Sequence, residues 1–183
     1  GAGNTSGNYN IFFGTAAAIN NTTGSCTVAI GHHAARCQTT ANATIAIGHC
    51  AGAGNTITGS DNILVGKSAG FAITTAFNNI FMGVCAGANT GIGTENTFIG
   101  SCAGLCNTDG CFNQFQGYLA GKCNTTGRYQ IAIGPRAGCC FKTGDSNVVM
   151  GNTAGQQLCS GSGNIFIGSQ AGRCTTTGGC NTI

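Results

Sequence analysis

A tandem repeat with a period of 17 residues constrains this sequence more than any other feature. A glycine recurs at that interval, and a single interval of 18 residues separates Gly48 from Gly66. An alanine follows each of these glycines by three residues, and an asparagine commonly precedes it by four. A repeat this short cannot bury an apolar core by itself, so successive copies must stack on one another. The repeat glycines, which we number position 0, are Gly14, Gly31, Gly48, Gly66, Gly83, Gly100, Gly117, Gly134, Gly151 and Gly168.

One copy of the repeat contains one strand and one marked turn. The segment 164–167, N-I-F-I, is β-branched and aromatic, which favours a strand. The segment 124–127, N-T-T-G, has the residues of a turn. A βαβ unit needs roughly 30 residues and does not fit. The pattern therefore predicts an all-β protein, a parallel β-solenoid of about ten 17-residue coils that forms a single array over residues 1–183.

Two details of the repeat predict local structure. The asparagines at position −4 recur in most coils, so stacked coils would join their side-chain amides into a ladder. The 18-residue interval must expel one residue without shifting the register of the strands. We therefore predict a bulged turn near Ile57 and Thr58.

Composition excludes several classes of protein. Charged residues make up only 6% of the chain and the net charge is +3, which argues against a nucleic-acid binder, a coiled coil and a disordered polyelectrolyte. No apolar run approaches the length of a transmembrane helix, so we expect no membrane span in this segment. The only acids, Asp61, Glu95, Asp109 and Asp145, occupy turn positions in different coils and form no catalytic pair. We predict that the protein is not an enzyme and has no cofactor.

Three segments carry a resemblance to a known family. Residues 27–31, 44–48 and 130–134 read T-V-A-I-G, T-I-A-I-G and Q-I-A-I-G, and each is followed by x-x-Ala. They resemble the S-V-A-I-G-x-x-A repeats of trimeric autotransporter adhesin heads of the YadA-like type. The longer repeat pattern, N-T-x-G-x-x-N-x-x-I-G-x-x-A-G, is similar to repeats of viral and phage tail-fibre-like proteins. The resemblance covers the whole chain. It implies a left-handed parallel β-roll, usually trimeric, on a cell or virion surface.

These features predict a structural or adhesive fibre at an extracellular, cell or virion surface, whose partners are copies of itself and a host surface or glycan. No polar cap is visible at either end of the array, so we expect a segment of a longer fibre or end-to-end stacking. The alternative is an ice-binding solenoid that uses a column of threonines at position +8, which Gly91, Lys142 and Cys159 interrupt. The threonines of this column are Thr22, Thr39, Thr56, Thr74, Thr108, Thr125 and Thr176.

Cysteine is unusually frequent in this chain. Thirteen cysteines imply an oxidising compartment or metal binding. Cysteines at the same position of successive coils lie within the Cα distance of a disulfide, and pairs that span one turn compete with them. The other interpretation is that cysteine acts as a small buried filler in a reducing compartment. The candidate disulfides are Cys85–Cys102, Cys106–Cys123 or Cys123–Cys140, Cys106–Cys111 and Cys174–Cys180.

A histidine cluster is the only other group with metal-binding chemistry. His32, His33, His49 and Cys50 occupy the same two positions of adjacent coils, as the ligands of a zinc site could. Paired histidines in a repeat are more often variable surface positions. We therefore predict no metal here.

The last prediction concerns the outer face of the strands. Side chains alternate between two faces, so either positions −3 and −1 or position −2 must point outward. The β-branched pairs at −3 and −1 are uniform, as an interior would be, although Gln114 and Gln116 argue for the opposite assignment. We predict that position −2 is the interface of a homo-oligomer, a trimer by resemblance, because its phenylalanines would be too apolar for a monomer. Its residues are Phe12, Ala29, Ala46, Leu64, Phe81, Phe98, Phe115, Ala132, Val149 and Phe166.

Overall fold

The computed structural model of the protein describes residues 2–183 and has ten short parallel strands. Each strand pairs only with the strands before and after it in the chain, so the ten form one sheet in sequence order. No helix occurs among the described residues. The predicted parallel β-solenoid is confirmed, with about nine turns of 17 residues, apart from the one turn of 18. The strands are β1 (Ile11–Phe13), β2 (Val28–Ile30), β3 (Ile45–Ile47), β4 (Ile63–Val65), β5 (Ile80–Met82), β6 (Thr97–Ile99), β7 (Gln114–Gln116), β8 (Ile131–Ile133), β9 (Val148–Met150) and β10 (Ile165–Ile167).

The repeat glycines end the strands for two separate steric reasons. Gly83 has a φ of 139°, in the region that side chains disfavour. A Cβ on Gly83 would also lie 2.5 Å from the carbonyl oxygen of Gly100 in the next coil. The same pair of restrictions applies from Gly14 to Gly151, so this position accepts only glycine.

Position −2 fills the interior of the solenoid, so the predicted interface is wrong. Phe12 is half-buried, and the other nine side chains of that column have no exposed surface. The pleat of each strand turns positions −3 and −1 outward instead. The nine enclosed side chains are Ala29, Ala46, Leu64, Phe81, Phe98, Phe115, Ala132, Val149 and Phe166.

Position −2 varies in size because a second interior column, at position +7, compensates for it. A Cβ on Gly70 would lie 2.6 Å from Leu64 and 3.0 Å from Ile73, so both columns reach the same space. Where position −2 is phenylalanine, position +7 is small or polar, as in Phe98 with Asn107. Where position −2 is Ala132, position +7 is the buried Phe141. Each coil thus fills one cross-section with a matched pair of side chains.

The predicted asparagine ladder is confirmed. The Asn79 side-chain amide donates to Asn62 Oδ1 at 3.0 Å, and that of Asn96 donates to Asn79 Oδ1 at 3.2 Å. Gln130 takes the asparagine's place in one coil and accepts from Asn147 at 3.0 Å. These amides are fully buried, and their mutual hydrogen bonds satisfy groups that would otherwise destabilise the core.

The 18-residue coil has the irregular turn that its length predicts, slightly earlier in the chain than expected. Asn55 and Thr56 protrude into solvent, while Ile57 turns inward and is fully buried. Ile57 forms an isolated bridge with Gln38 of the preceding coil. Regular stacking resumes at Thr58, whose N–H donates to the Thr74 carbonyl at 2.9 Å.

Candidate functional site

The outward side chains at positions −3 and −1 of β1–β10 form an apolar strip along the whole sheet, which we call the outer ribbon. Phe13 and Ile167 at its two ends are 73% and 60% exposed. Along its middle, Met82, Ile99 and Met150 are also exposed. Most of the remaining members are half-buried isoleucines and valines. A strip of this kind is unusual for a surface that meets only water.

Polar side chains interrupt the outer ribbon at one level along the rod, that of β6 and β7. Both outward residues of β7, Gln114 and Gln116, are exposed amides, and Thr97 lies beside them on β6. The exposed rings of Phe112 and Tyr129 stack next to this level, with centroids 5.1 Å apart. The ribbon therefore has a distinct polar and aromatic level between two apolar stretches.

All thirteen cysteines are free thiols, so the structure forms none of the predicted disulfides. Cysteines at the same position of successive coils, such as Cys85 and Cys102 or Cys106, Cys123 and Cys140, share one backbone conformation, so their Cα–Cβ bonds should run nearly parallel. Their Cβ atoms therefore keep the strand spacing of about 4.8 Å, whereas a disulfide needs about 3.8 Å. The predictions from Cα distance were wrong for this reason.

The turn-spanning pairs, Cys106–Cys111 and Cys174–Cys180, are not formed either. Cys111 Sγ accepts a hydrogen bond from the Thr94 N–H at 3.4 Å and donates to the Asp109 carbonyl at 3.3 Å. These contacts hold the Cys111 sulfur within its own column of the stack. Cys174 and Cys180 are exposed thiols.

The densest group of thiols, which we call the thiol row, consists of Cys106, Cys123, Cys139 and Cys140. Burial raises the pKa of Cys139 to about 11, and the neighbouring Cys123 and Cys140 act in the same direction. Burial, and then Cys123, also raise the pKa of Cys106 and of Cys140. Cys106, Cys139 and Cys140 therefore stay protonated at neutral pH and are poor nucleophiles. Cys139 was missed in the sequence because it stands one position before the cysteine column.

Three cations lie beside the thiol row. Lys122 opposes the rise in the pKa of Cys106 and of Cys139, and Arg136 also acts on Cys139. Lys142 acts in the same way on Cys140. The surroundings of the row are thus electropositive, although burial has the larger effect on the pKa of Cys106, Cys139 and Cys140.

The histidine cluster comes together as a stack of rings. His32 stacks on His33 with centroids 3.9 Å apart and on His49 at 5.1 Å, and Cys50 Sγ lies 3.9 Å from His49 Nε2. Burial lowers the pKa of His33, as do the charges of His32, Arg36 and His49. Nitrogen lone pairs lie in the ring planes, so stacked rings do not aim them at a common point. Between residues 2 and 183, no three His, Cys, Asp or Glu side chains are placed to hold one metal ion.

The threonines at position +8 make hydrogen bonds within the chain. The hydroxyl of Thr22 donates to the Thr39 carbonyl at 3.1 Å, and that of Thr125 donates to the Lys142 carbonyl at 3.0 Å. These residues lie in turns and not on a strand. Ice binding by this column stays a prediction, which a thermal hysteresis measurement would test.

The remaining surface of residues 2–183 contains no pocket. The same residues form no helix that is long and apolar enough to cross a membrane. No protein-family model matches the sequence, and no curated protein or solved structure matches it either.

Proposed function

We propose that the protein is a structural rod that associates with copies of itself through the outer ribbon, as part of a fibre at an extracellular or virion surface. The observation that supports this most is the apolar strip on one face of the sheet, which extends from β1 to β10. Self-association would remove this strip from water, which is the main favourable term in protein association.

The outer ribbon is large enough to contribute to a stable interface. Ten strands spaced about 4.8 Å apart, each about 10 Å long, present a flat area on the order of 500 Å². Side-chain relief and the flanking Tyr118 and Val84, both exposed, add to that area. A typical interface buries roughly 800 Å² on each partner, which is of the same order.

The polar level of the outer ribbon favours another copy of this chain as the partner. Gln114 and Gln116 are exposed to water in the single chain. An apolar surface that covered them would leave both side-chain amides without hydrogen-bond partners. A parallel copy in the same register brings its own Gln114 and Gln116 to this level, so the amides pair with each other. Buried polar side chains fix register in this way in other parallel assemblies. The trimer is proposed from the resemblance to trimeric adhesin heads.

A structural role also agrees with the way the few polar surface groups are used. Asp145 Oδ1 accepts from the Arg128 N–H of the preceding coil at 2.7 Å, so this carboxylate stabilises the stack. The raised pKa values of Cys106, Cys139 and Cys140 give these three thiols little nucleophilic character. We therefore do not propose a catalytic activity.

The experiment compares the mass in solution of the reduced protein and of two matched double variants by sedimentation equilibrium. We expect the unaltered protein to have a multiple of the chain mass, three times that mass for a trimer. Met82→Lys with Ile99→Lys places two charges on the outer ribbon and should give a monomer. Ile19→Lys with Ile92→Lys changes two exposed side chains outside the ribbon and should leave the assembly intact.

A monomeric wild-type protein at high concentration would refute the proposal. Equal dissociation of the two double variants would also refute it, because the interface would then not be the outer ribbon. Circular dichroism of each variant must show the β-spectrum of the parent, so that a loss of mass reports dissociation and not unfolding.

A further inference from the structure

The thiol row repeats one geometry in three successive coils, at a position where other coils have Asn, Gly, Ala or Gln. Cys106, Cys123 and Cys140 occupy position +6 of three successive coils. The Cys106 N–H donates to the Lys122 carbonyl at 2.9 Å, and the Cys123 N–H donates to the Cys139 carbonyl at 2.9 Å. These bonds stack the three cysteines in register, at the strand spacing of about 4.8 Å.

We propose that neighbouring thiols of this row bind a monovalent soft metal ion of the Cu(I) type in linear, two-coordinate geometry. A zinc–sulfur bond is about 2.3 Å long, and a linear sulfur–metal–sulfur unit with bonds of that order spans about 4.6 Å, close to the spacing of the coils. Parallel side chains cannot converge in threes or fours on one point, which disfavours a tetrahedral ion such as zinc. Thiolate sulfur is the ligand that selects Cu(I).

Binding exchanges protons for metal and involves no oxidation. Two S–H bonds break, two protons pass to solvent, and two sulfur–metal bonds form around one monovalent cation. The resulting unit carries one negative charge, which the neighbouring Lys122, Arg136 and Lys142 offset.

A second pair of cysteines repeats this geometry at position +2. Cys85 and Cys102 have nearly equal φ angles of 55° and 56°, so their side chains project in the same direction. The Cys102 N–H donates to the Val84 carbonyl at 2.8 Å, which places the two cysteines in adjacent coils. We therefore expect this pair to bind a second ion.

Cys37 provides a matched control within the same chain. It stands at position +6, like Cys106 and Cys123, but the adjacent coils have Asn20 and Gly54 at that position. Its sulfur has no thiol directly above or below it in the column. Removing it should not change linear binding.

The experiment uses Ag(I), a soft monovalent ion that needs no reductant, as the probe. The full reduced chain is loaded in the presence of competing glutathione, and the ions retained are counted by native mass spectrometry. We expect two retained Ag(I) ions in the parent and in Cys37→Ser, and one in Cys123→Ser. X-ray absorption of the Ag(I)-loaded parent should show two sulfur neighbours for each ion.

Several results would overturn the proposal. Equal loss of ions from Cys123→Ser and Cys37→Ser, or no loss from Cys123→Ser, would show that stacking of thiols does not matter. Three or four sulfur neighbours around silver, or equal retention of Zn(II), would exclude the linear geometry. If Cys123→Ser does not fold, the triple variant Cys106→Ser, Cys139→Ser and Cys140→Ser isolates Cys123 and must lose the same ion.

Discussion

Two neighbouring stretches of the rod fill the same interior from opposite sides. In β5–β7, Phe81, Phe98 and Phe115 stack with centroids 4.9 Å apart, and the side chains across the core from them are small or polar. In the coil of β8 the phenylalanine is Phe141, on the far side, and the strand contributes Ala132. The fold therefore conserves the combined volume of positions −2 and +7, and neither residue by itself.

The junction between these stretches shows how the exchange is accommodated. The Phe115 and Phe141 rings meet with centroids 6.3 Å apart and an angle of 45°, whereas the rings within the Phe81–Phe115 stack are nearly parallel. The glycine at position +4 allows both arrangements. A Cβ on Gly121 would meet the Phe115 ring, and one on Gly138 would meet the Phe141 ring. Position +4 therefore stays glycine on both sides of the junction.

The largest loss of stability is expected when one ring is removed from the phenylalanine stack. Phe98→Ala should lower the free energy of unfolding by about 3–5 kcal/mol, because no partner at position +7 fills the cavity and both stacked neighbours lose a ring. Chemical denaturation measures this change. Phe77→Ala, which removes an exposed ring, should change stability by less than about 0.5 kcal/mol. Similar costs for the two variants would contradict the proposed interior.

A smaller effect, with a rescue, is expected at the junction. Ala132→Phe alone places two phenylalanines across one cross-section and should cost about 1–3 kcal/mol. Adding Phe141→Asn recreates the Phe115–Asn124 pair of the preceding coil and should recover most of that loss. A double-mutant cycle measures the coupling between the two sites. Additive costs would show that the two columns do not compensate for each other.

The smallest change in stability is expected where the side chain at position +7 fills space in the core but makes no hydrogen bond. Thr90 is fully buried beside the phenylalanine stack, and its hydroxyl has no hydrogen-bond partner. Thr90→Val keeps the shape and should raise the free energy of unfolding by about 1 kcal/mol. Thr108→Val is the control, since it removes a hydroxyl that donates to the Thr125 carbonyl at 3.2 Å, and should not stabilise the protein. Destabilisation by Thr90→Val would mean that its hydroxyl has a structural role.

Features that repeat at one position in every coil could be predicted from the sequence. The coil period, the strand before each repeat glycine and the asparagine ladder are of this kind. The irregular 18-residue turn could be predicted as the one departure from that period. The inner face of the strand was assigned wrongly because alternation separates two faces without saying which one is enclosed. The variable size of position −2 resembled an interface, while its compensation by position +7 lies nine residues away in the sequence and across the core.

The outer ribbon and the thiol row were visible in the sequence only as residue types. The isoleucine and valine pairs at positions −3 and −1 were recognised, but were assigned to the interior. The cysteine columns were recognised as well, and Cα spacing indicated disulfides. Which way the stacked Cβ atoms point depends on the backbone conformation of the turn, and composition does not record it.

The sequence by itself determined the period of the coil, its strand, its turns and the stacking of equal positions, because these follow from local preference repeated at a fixed interval. Only the tertiary structure decided which face of the strand is enclosed and how the thiols are oriented. The physical reason is that the chain closes each coil on itself. When the chain returns on itself, position −2 comes to face position +7, and two side chains that are distant in sequence must share one volume.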